Sequence, residues 1–262
     1  MGRYEDYETL LIANRDNGVV EMTFNRPEKL NAFNGAMRHE IRRFVGEFSA
    51  DPDGRALVLT GAGRAFCSGA DLADADQRPW PTSGPEPLFS TAVELLHVPK
   101  PTIAAVNGVA AGGGLAMALL CDIRICASDA RLLPIWLKRG IHPDGLITWT
   151  LPQLVGASRA LRWLYLAEDI PLDEALSCGL VAEVVAPDEL LPAAGRLAAK
   201  LAAGPTAHLA LTKQAVLRNL RREPSDAAMI EHWGVERGRA THDAKEGVAA
   251  FREKRPPQFR GH

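Results

Sequence analysis

Short apolar segments recur along the first half of the chain, and each ends at a small or polar residue. Residues 19–24 alternate between apolar and polar side chains, which is the pattern of a half-buried strand. Residues 56–60 and 102–106 are almost continuously apolar, as are the buried strands of a parallel sheet. The same reasoning predicts further strands at residues 10–13, 123–127 and 181–185.

Helical spacing occurs between these strands. Asn34 is a favourable helix N-cap, and the apolar residues that follow it are Met37, Ile41, Phe44, Val45 and Phe48. Strands that alternate with helices predict an α/β fold, with three strand–turn–helix units before Ala130. From about residue 190 the chain is rich in Ala and Leu. We therefore expect residues 1–195 to form the core with the site, and residues 196–262 to form a C-terminal helical segment.

Composition excludes several classes of partner. The 262 residues carry 30 Lys and Arg against 32 Asp and Glu, so the net charge of −2 gives no general attraction to nucleic acid or to an anionic membrane. The longest apolar stretch, residues 106–120, is interrupted by Asn and Gly and is too short to span a bilayer. Together with four cysteines that include no C-x-x-C pair, this predicts a cytoplasmic protein.

A run of small residues follows one of the buried strands. Residues 64–71 read RAFCSGAD, and small side chains there would let a ligand approach the backbone and one of its N–H groups. The alternative is a tight turn before a helix, with no ligand.

A second run lies between a strand and a helix. Residues 107–114 read NGVAAGGG, and a helix that begins at the glycines would offer free N–H groups and a positive potential to an oxyanion. The glycines could equally serve close helix–strand packing. A phosphate-binding loop is weakly supported, because neither G-x-x-x-x-G-K-[ST] nor G-x-G-x-x-G is present.

Taken together, four segments resemble the crotonase (enoyl-CoA hydratase/isomerase) superfamily. They are residues 25–32 (NRPEKLNA), 64–71 (RAFCSGAD), 100–114 (KPTIAAVNGVAAGGG) and 251–256 (FREKRP). The resemblance implies a spiral of repeated ββα units with a C-terminal helical segment that trimerises, giving a homotrimer or a dimer of trimers. It implies an acyl-CoA thioester substrate with no further cofactor. It also implies that the backbone N–H groups of Ser68 and Gly113 stabilise an enolate.

The resemblance further implies a set of substrate and CoA contacts. These are Lys29, Ala32, Arg64, Ala65, Gly69, Ala70, Asp71, Leu72 and Trp136, with Phe251 and Lys254 reaching the CoA of a neighbouring subunit. Lys29 and Arg64 could instead be solvated surface charges, and Asp71 a helix N-cap. No metal site is expected, because the seven histidines show no ligand spacing.

The chain departs from hydratases of this superfamily at both acid–base positions. The two glutamates that activate water are replaced by Ala116 and Trp136, neither of which can transfer a proton. One carboxylate remains nearby, Asp144, although Pro143-Asp144-Gly145 is also a common turn sequence. Residues 140–156 resemble ring-epoxide and enoyl-CoA isomerases of the superfamily, which keep G-x-x-PD and a later TW-x-LP. We therefore favour double-bond isomerisation with Asp144 as the base.

Two alternatives stay open. The positions of Trp136 and Asp144 also resemble 4-chlorobenzoyl-CoA dehalogenase, in which the aspartate is a nucleophile, although that family has a histidine where this chain has Phe89. A hydrolase using Asp144 in the same way belongs to this alternative. The other is an acyl-CoA binding protein without catalysis. Residues 77–87, rich in Pro, Ser and Gly, are expected to shape the acyl pocket.

Overall fold

The computed structural model describes residues 4–15, 17–71, 87–220 and 223–262. Its strands are β1 (Leu10–Asn14), β2 (Val19–Phe24), β3 (Ala56–Gly61), β4 (Ala65–Cys67), β5 (Thr102–Val106), β6 (Val109–Ala111), β7 (Ile123–Ala127), β8 (Arg131–Leu133) and β9 (Glu183–Val185). Its α-helices are Gly35–Ala50, Pro87–Leu96, Gly113–Leu120, Ile147–Val155, Ala157–Leu166, Leu172–Ser177, Leu190–Ala202, Thr206–Asn219, Pro224–Arg239 and His242–Glu253.

Two sheets organise the core. A six-stranded sheet has the order β1-β2-β3-β5-β7-β9, in which β1 and β2 are antiparallel and all other pairs are parallel. A small parallel sheet has the order β4-β6-β8. Three strands of the large sheet, β3, β5 and β7, are each followed by a short strand of the other sheet, so the chain winds as repeated strand–strand units joined by helices. The predicted α/β class is confirmed.

The first long helix shows how the sequence determines this packing. Asn34 accepts a hydrogen bond from Met37 N at 2.9 Å and so caps the helix Gly35–Ala50. The predicted apolar face of this helix is buried, and Phe44 and Phe48 stack in parallel with ring centroids 5.9 Å apart. The helix therefore forms where the periodicity predicted it.

The expected boundary between residues 195 and 196 lies within a helix that packs on the large sheet. It falls inside the helix Leu190–Ala202, which packs on β3 and β5 and buries Ala194, Ala198 and Ala202. Small buried side chains let this helix lie close to the sheet. The core therefore continues to the end of that helix, and the helical segment that follows starts with Thr206–Asn219.

The last residues of the chain return to the core. Asp243 is 2% exposed and accepts hydrogen bonds from the N–H groups of Arg260 and Gly261, both at 2.7 Å. Burial alone would raise the pKa of this carboxyl, but the two N–H donors outweigh it and the pKa is lowered. Arg55 donates to the carbonyl oxygens of Gly204 and Phe259. Within the described ranges, no helix is long and apolar enough to cross a bilayer.

Candidate functional site

The two small-residue motifs meet at the small sheet. β4 pairs with β6 through Ala65↔Val109 and Cys67↔Ala110, so the segments that follow these strands emerge side by side. A Cβ built on Gly69 would lie 3.2 Å from the nitrogen of Gly113 and 2.8 Å from the carbonyl oxygen of Ala111. Gly69 also has φ +94°. Only glycine therefore allows the two backbones to come this close.

Gly113 is the first residue of the helix Gly113–Leu120. The first N–H groups of a helix have no acceptor within it, and they lie at the positive end of the helix dipole. No side chain caps this end. The N–H group of Gly113 is therefore suited to an anionic oxygen.

The predicted donor at Ser68 has a hydrogen-bond partner within the chain. Its N–H donates to the carbonyl oxygen of Leu30 at 3.0 Å, so this donor is already engaged within the protein. Its hydroxyl lies 3.4 Å from the carbonyl oxygen of Lys29. Ser68 is thus part of the packing between the two loops.

Ala70 offers the donor that Ser68 does not. Phe33 and Ala70 form a parallel bridge, in which Phe33 N donates to Gly69 O at 2.7 Å and Asp71 N donates to Phe33 O at 3.0 Å. In this pattern the N–H of the central residue points away from the partner strand. Ala70 is exposed, and none of the residues that the structure describes accepts a hydrogen bond from its N–H. The peptide group of Ala70 directly follows Gly69, the residue that packs against Gly113.

Two asparagine side chains hold the turn that precedes this segment. The amide of Asn31 donates to the carbonyl oxygens of Ala62 and Ala65, at 2.9 and 2.7 Å. The amide of Asn107 donates to the carbonyl oxygens of Gly61 and Gly63, at 2.8 and 2.9 Å. These bonds tie the turn between β3 and β4 to both neighbouring loops.

Asp144 is held by the tryptophan at the second glutamate position. The Trp136 indole N–H donates to a carboxylate oxygen of Asp144 at 2.8 Å, and Trp136 is 5% exposed. Asp144 itself is half-buried. Its neighbour His142 is exposed and bonds to the carbonyl oxygen of Pro143. The structure therefore pairs Asp144 with Trp136 rather than with His142.

The turn that carries Asp144 lies against the helix that begins at Gly113. Ala116, at the first glutamate position, is 1% exposed and one helical turn beyond Gly113. A Cβ built on Gly145 would lie 2.8 Å from the Cβ of Ala116. The structure thus brings Ala116, Trp136 and Asp144 together.

The predicted CoA contacts divide into three groups. Ala32, Ala65 and Gly69 are buried beside the site, whereas Lys29 and Arg64 are exposed. Leu72 and residues 77–86 of the predicted pocket loop lie outside the described residues, as does the side chain of Phe89. Phe251 is 86% exposed and Lys254 is also exposed, both at the end of the helix His242–Glu253.

One residue near the site was missed by the sequence reasoning. Arg26 donates to the carboxylate of Asp71 at 3.1 Å and to the carbonyl oxygen of Ala32 at 2.6 Å. Its side chain and that of Asp71 are each 15% exposed. Nothing in local spacing connects positions 26 and 71, because the fold alone brings them together. Asp71 therefore stabilises the loop that carries Ala32, because Arg26 binds both residues.

The remaining polar groups restrict the chemistry. Burial raises the pKa of the Cys67 thiol to about 12, so this group is protonated at neutral pH and unsuited to nucleophilic attack. Its Sγ donates to the carbonyl oxygen of Asn31. Across the part of the chain that the structure covers, no three His, Cys, Asp or Glu residues cluster as metal ligands.

Known proteins resemble this chain over nearly its whole length. A family model described as enoyl-CoA hydratase/isomerase matches residues 14–262. A protein of Escherichia coli (strain K12) named 1,2-epoxyphenylacetyl-CoA isomerase is 38% identical over 262 residues, with 96% of this chain and 98% of that protein covered. A probable enoyl-CoA hydratase of Rhodobacter capsulatus is 40% identical, with 93% and 95% covered. The solved structure of an enoyl-CoA hydratase from Bacillus anthracis matches with a TM-score of 0.90 at 30% identity, covering 97% of this chain and 100% of that chain.

Proposed function

This chain belongs to the enoyl-CoA hydratase/isomerase family and is an enzyme that acts on an acyl-CoA; within that family, we propose that it moves a carbon–carbon double bond along the acyl chain with Asp144 as the base. The observation that carries this proposal is the position of Asp144. Its carboxylate is oriented by the Trp136 N–H, and its turn packs one helical turn from Gly113.

We propose that the N–H groups of Ala70 and Gly113 form the oxyanion hole. Ala70 replaces the predicted Ser68, whose N–H is bound to Leu30. The thioester oxygen gains negative charge when the substrate becomes an enolate, and fixed backbone donors stabilise that charge by about 3–4 kcal/mol each. Because both donors are main-chain groups, the side chains at these positions contribute little to the step.

The proposed reaction uses one carboxylate twice. Asp144 takes a proton from C2 of a 3-enoyl thioester, and the electron pair of the broken C–H bond passes into the carbonyl to give a dienolate. The proton then returns to C4, the double bond becomes C2–C3, and the carboxylate is regenerated. No water or second acid is consumed, which agrees with Ala116 and Trp136 at the two glutamate positions.

A second candidate uses Asp144 as a nucleophile. The hydrogen bond from Trp136 holds one carboxylate oxygen at 2.8 Å, and such an oriented carboxylate could also attack an electrophilic carbon. On a halogenated aromatic ring, the carboxylate would displace the halide to form an aspartyl ester. Water would then hydrolyse the ester, which releases the hydroxylated ring and regenerates Asp144. The ester would appear as a mass increase on the protein.

We further propose a homotrimer, or a dimer of trimers, in which Phe251 and Lys254 reach the CoA of a neighbouring subunit. The support is the exposure of Phe251, whose side chain lies on the surface of the last helix. A large apolar side chain exposed to this degree is typical of a contact surface. Light scattering on wild type and on Phe251→Ala measures the mass of the assembly directly.

The test of the proposed reaction compares wild type with Asp144→Asn. Each protein is given a 3-enoyl-CoA, crotonyl-CoA and 1,2-epoxyphenylacetyl-CoA, with products identified by chromatography and mass. We expect conversion of the 3-enoyl substrate by wild type alone. Isomerisation that survives in Asp144→Asn would refute the role of Asp144.

The other outcomes separate the alternatives. Hydration of crotonyl-CoA by both proteins would contradict the roles assigned to Ala116 and Trp136. Conversion of the epoxide alone would indicate the reaction for which the Escherichia coli relative is named, epoxide isomerisation. A protein adduct formed in wild type but not in Asp144→Asn would support the nucleophile. Binding of all three thioesters without turnover would support a protein without catalysis.

A further inference from the structure

Ala116 and Gly145 touch at the point where the Asp144 turn meets the helix Gly113–Leu120. A Cβ on Gly145 would approach the Ala116 Cβ to 2.8 Å, which is closer than two such atoms come in proteins. The backbone of Gly145 therefore packs directly on the methyl group of Ala116. Any heavier side chain at either position requires one of the two segments to move.

The helix is the segment that cannot move. Its residues from Gly114 to Leu120 are all buried. A Cβ built on Gly114 would lie 2.0 Å from the carbonyl oxygen of Cys67, so the helix is already in close contact with β4 on another side. Because protein interiors are close-packed, added volume at Ala116 cannot be taken up on the helix side.

The turn is the segment that yields. Gly145 and Leu146 both have left-handed backbone, with φ +64° and +65°. One backbone hydrogen bond closes the turn, from Ile147 N to Asp144 O at 3.3 Å. The preceding residues Ile141 and His142 are exposed, so the turn is open to solvent on that side.

We propose that Ala116 is a positioning residue, which sets how closely Asp144 approaches the oxyanion donors through its contact with Gly145. The inference rests on the proposed function of Asp144. Hydratases of the superfamily carry a glutamate at position 116. In this chain the residue at that position instead fixes the location of the Asp144 carboxylate. A methyl group at 116 is the largest side chain that leaves Asp144 in place.

The test combines substitutions at 116 and 144. Ala116→Val should push the turn outward and lower kcat for a 3-enoyl-CoA by about 10²-fold, because a shift of about 1 Å in a reacting group has this effect. KM should change little, since the CoA contacts are untouched. Asp144→Glu should lower kcat in wild type but raise it in Ala116→Val, because the longer side chain restores the reach.

The control is Ala118→Val, on the same helix and also 1% exposed. It should show no gain in kcat from Asp144→Glu, and it measures the effect of overpacking this helix alone. Ala116→Ser adds a single heavy atom and provides a variant that folds if Ala116→Val does not; its kcat should also fall, by less.

Two results would overturn the inference. One is an Ala116→Val or Ala116→Ser enzyme with the kcat of wild type. The other is a loss of kcat at Ala116→Val that Asp144→Glu does not reverse, as at Ala118→Val. Failure of the proposed function would differ from both, because wild type would then not isomerise the 3-enoyl-CoA, or Asp144→Asn would isomerise it as fast as wild type.

Discussion

Asn31 and Asn107 donate hydrogen bonds to the same backbone oxygen, that of Ala65, at 2.7 and 3.4 Å. One asparagine comes from the N-terminal loop and the other from the end of β5, and they converge on the turn between β3 and β4. This turn leads directly into β4 and the segment of Gly69 and Ala70. The position of the proposed oxyanion donor thus depends on two amides that are distant in sequence.

Removal of the Asn107 side-chain amide should therefore lower the stability of the protein. Asn107→Ala leaves the carbonyl oxygens of Gly61 and Gly63 and the N–H of Gly61 without this partner. We expect the free energy of unfolding to fall by about 2 kcal/mol or more, because unsatisfied polar groups cost about 1–3 kcal/mol each. Urea denaturation measures the change. Asn14→Ala, at an exposed position, should stay within about 0.5 kcal/mol and serves as the control.

Substitution of glycine by alanine should have opposite effects at two positions. Gly69→Ala places a Cβ against Ala111 and Gly113 at φ +94°, so both stability and activity should fall. Gly46→Ala lies on the exposed face of the helix Gly35–Ala50 with nothing within 4 Å, and it should raise the unfolding free energy by about 0.5–1 kcal/mol. Thermal unfolding of the pair checks both signs. Equal changes in stability for the two variants would show that the close backbone contact at Gly69 does not require glycine.

The indole N–H of Trp136 can be removed while an aromatic ring is kept at this position. Trp136→Phe deletes the hydrogen bond to Asp144, and a bond to a charged group is worth about 1.5–3 kcal/mol. We expect kcat for the 3-enoyl substrate to fall by about 10- to 100-fold with little change in KM. Trp149→Phe, at an exposed tryptophan in the following helix, is the matched control. A similar loss in both variants would contradict the orienting role.

The ion pair between Arg26 and Asp71 should contribute a measurable interaction energy to folding. Both side chains are largely buried, so their attraction is less screened than that of a surface pair. A double-mutant cycle of Arg26→Ala and Asp71→Ala should give a coupling energy of about 1 kcal/mol or more in unfolding. Additive effects of the two substitutions would mean that the pair contributes nothing to the loop.

Acid should destabilise the C-terminal segment by protonating Glu246, whose carboxylate binds Arg255 and the N–H of Gln258. Hydrogen bonds from Arg255 and from the N–H of Gln258 lower the pKa of this carboxyl from 4.5 to about 2. A lowered folded-state pKa contributes stability that is complete above the ordinary value and is lost as pH falls toward 2. We expect Tm to drop between pH 4.5 and 2, and to drop less in Glu246→Gln. The same pH profile in both proteins would refute this contribution.

The fold and the general site could be predicted from sequence because their signals are local. The helix cap at Asn34 and the glycines before Leu115 are set by neighbouring residues, and the structure agrees with both. The donor proposed here, Ala70, differs from the predicted Ser68 for the opposite reason. Which N–H of residues 68–71 points outward is decided by pairing with Leu30 and Phe33, and no local pattern encodes that pairing. Arg26 was missed because its partner lies 45 positions away.

The four cysteines differ in their access to solvent, and this has a practical use. Cys67, Cys121 and Cys126 are buried, and burial raises the pKa of each thiol to about 12. Cys178 alone is partly exposed, at the end of the helix Leu172–Ser177. A maleimide fluorophore added at neutral pH to the native protein would therefore mark one known position. The wild-type chain thus supports single-site labelling for fluorescence studies without removal of any cysteine.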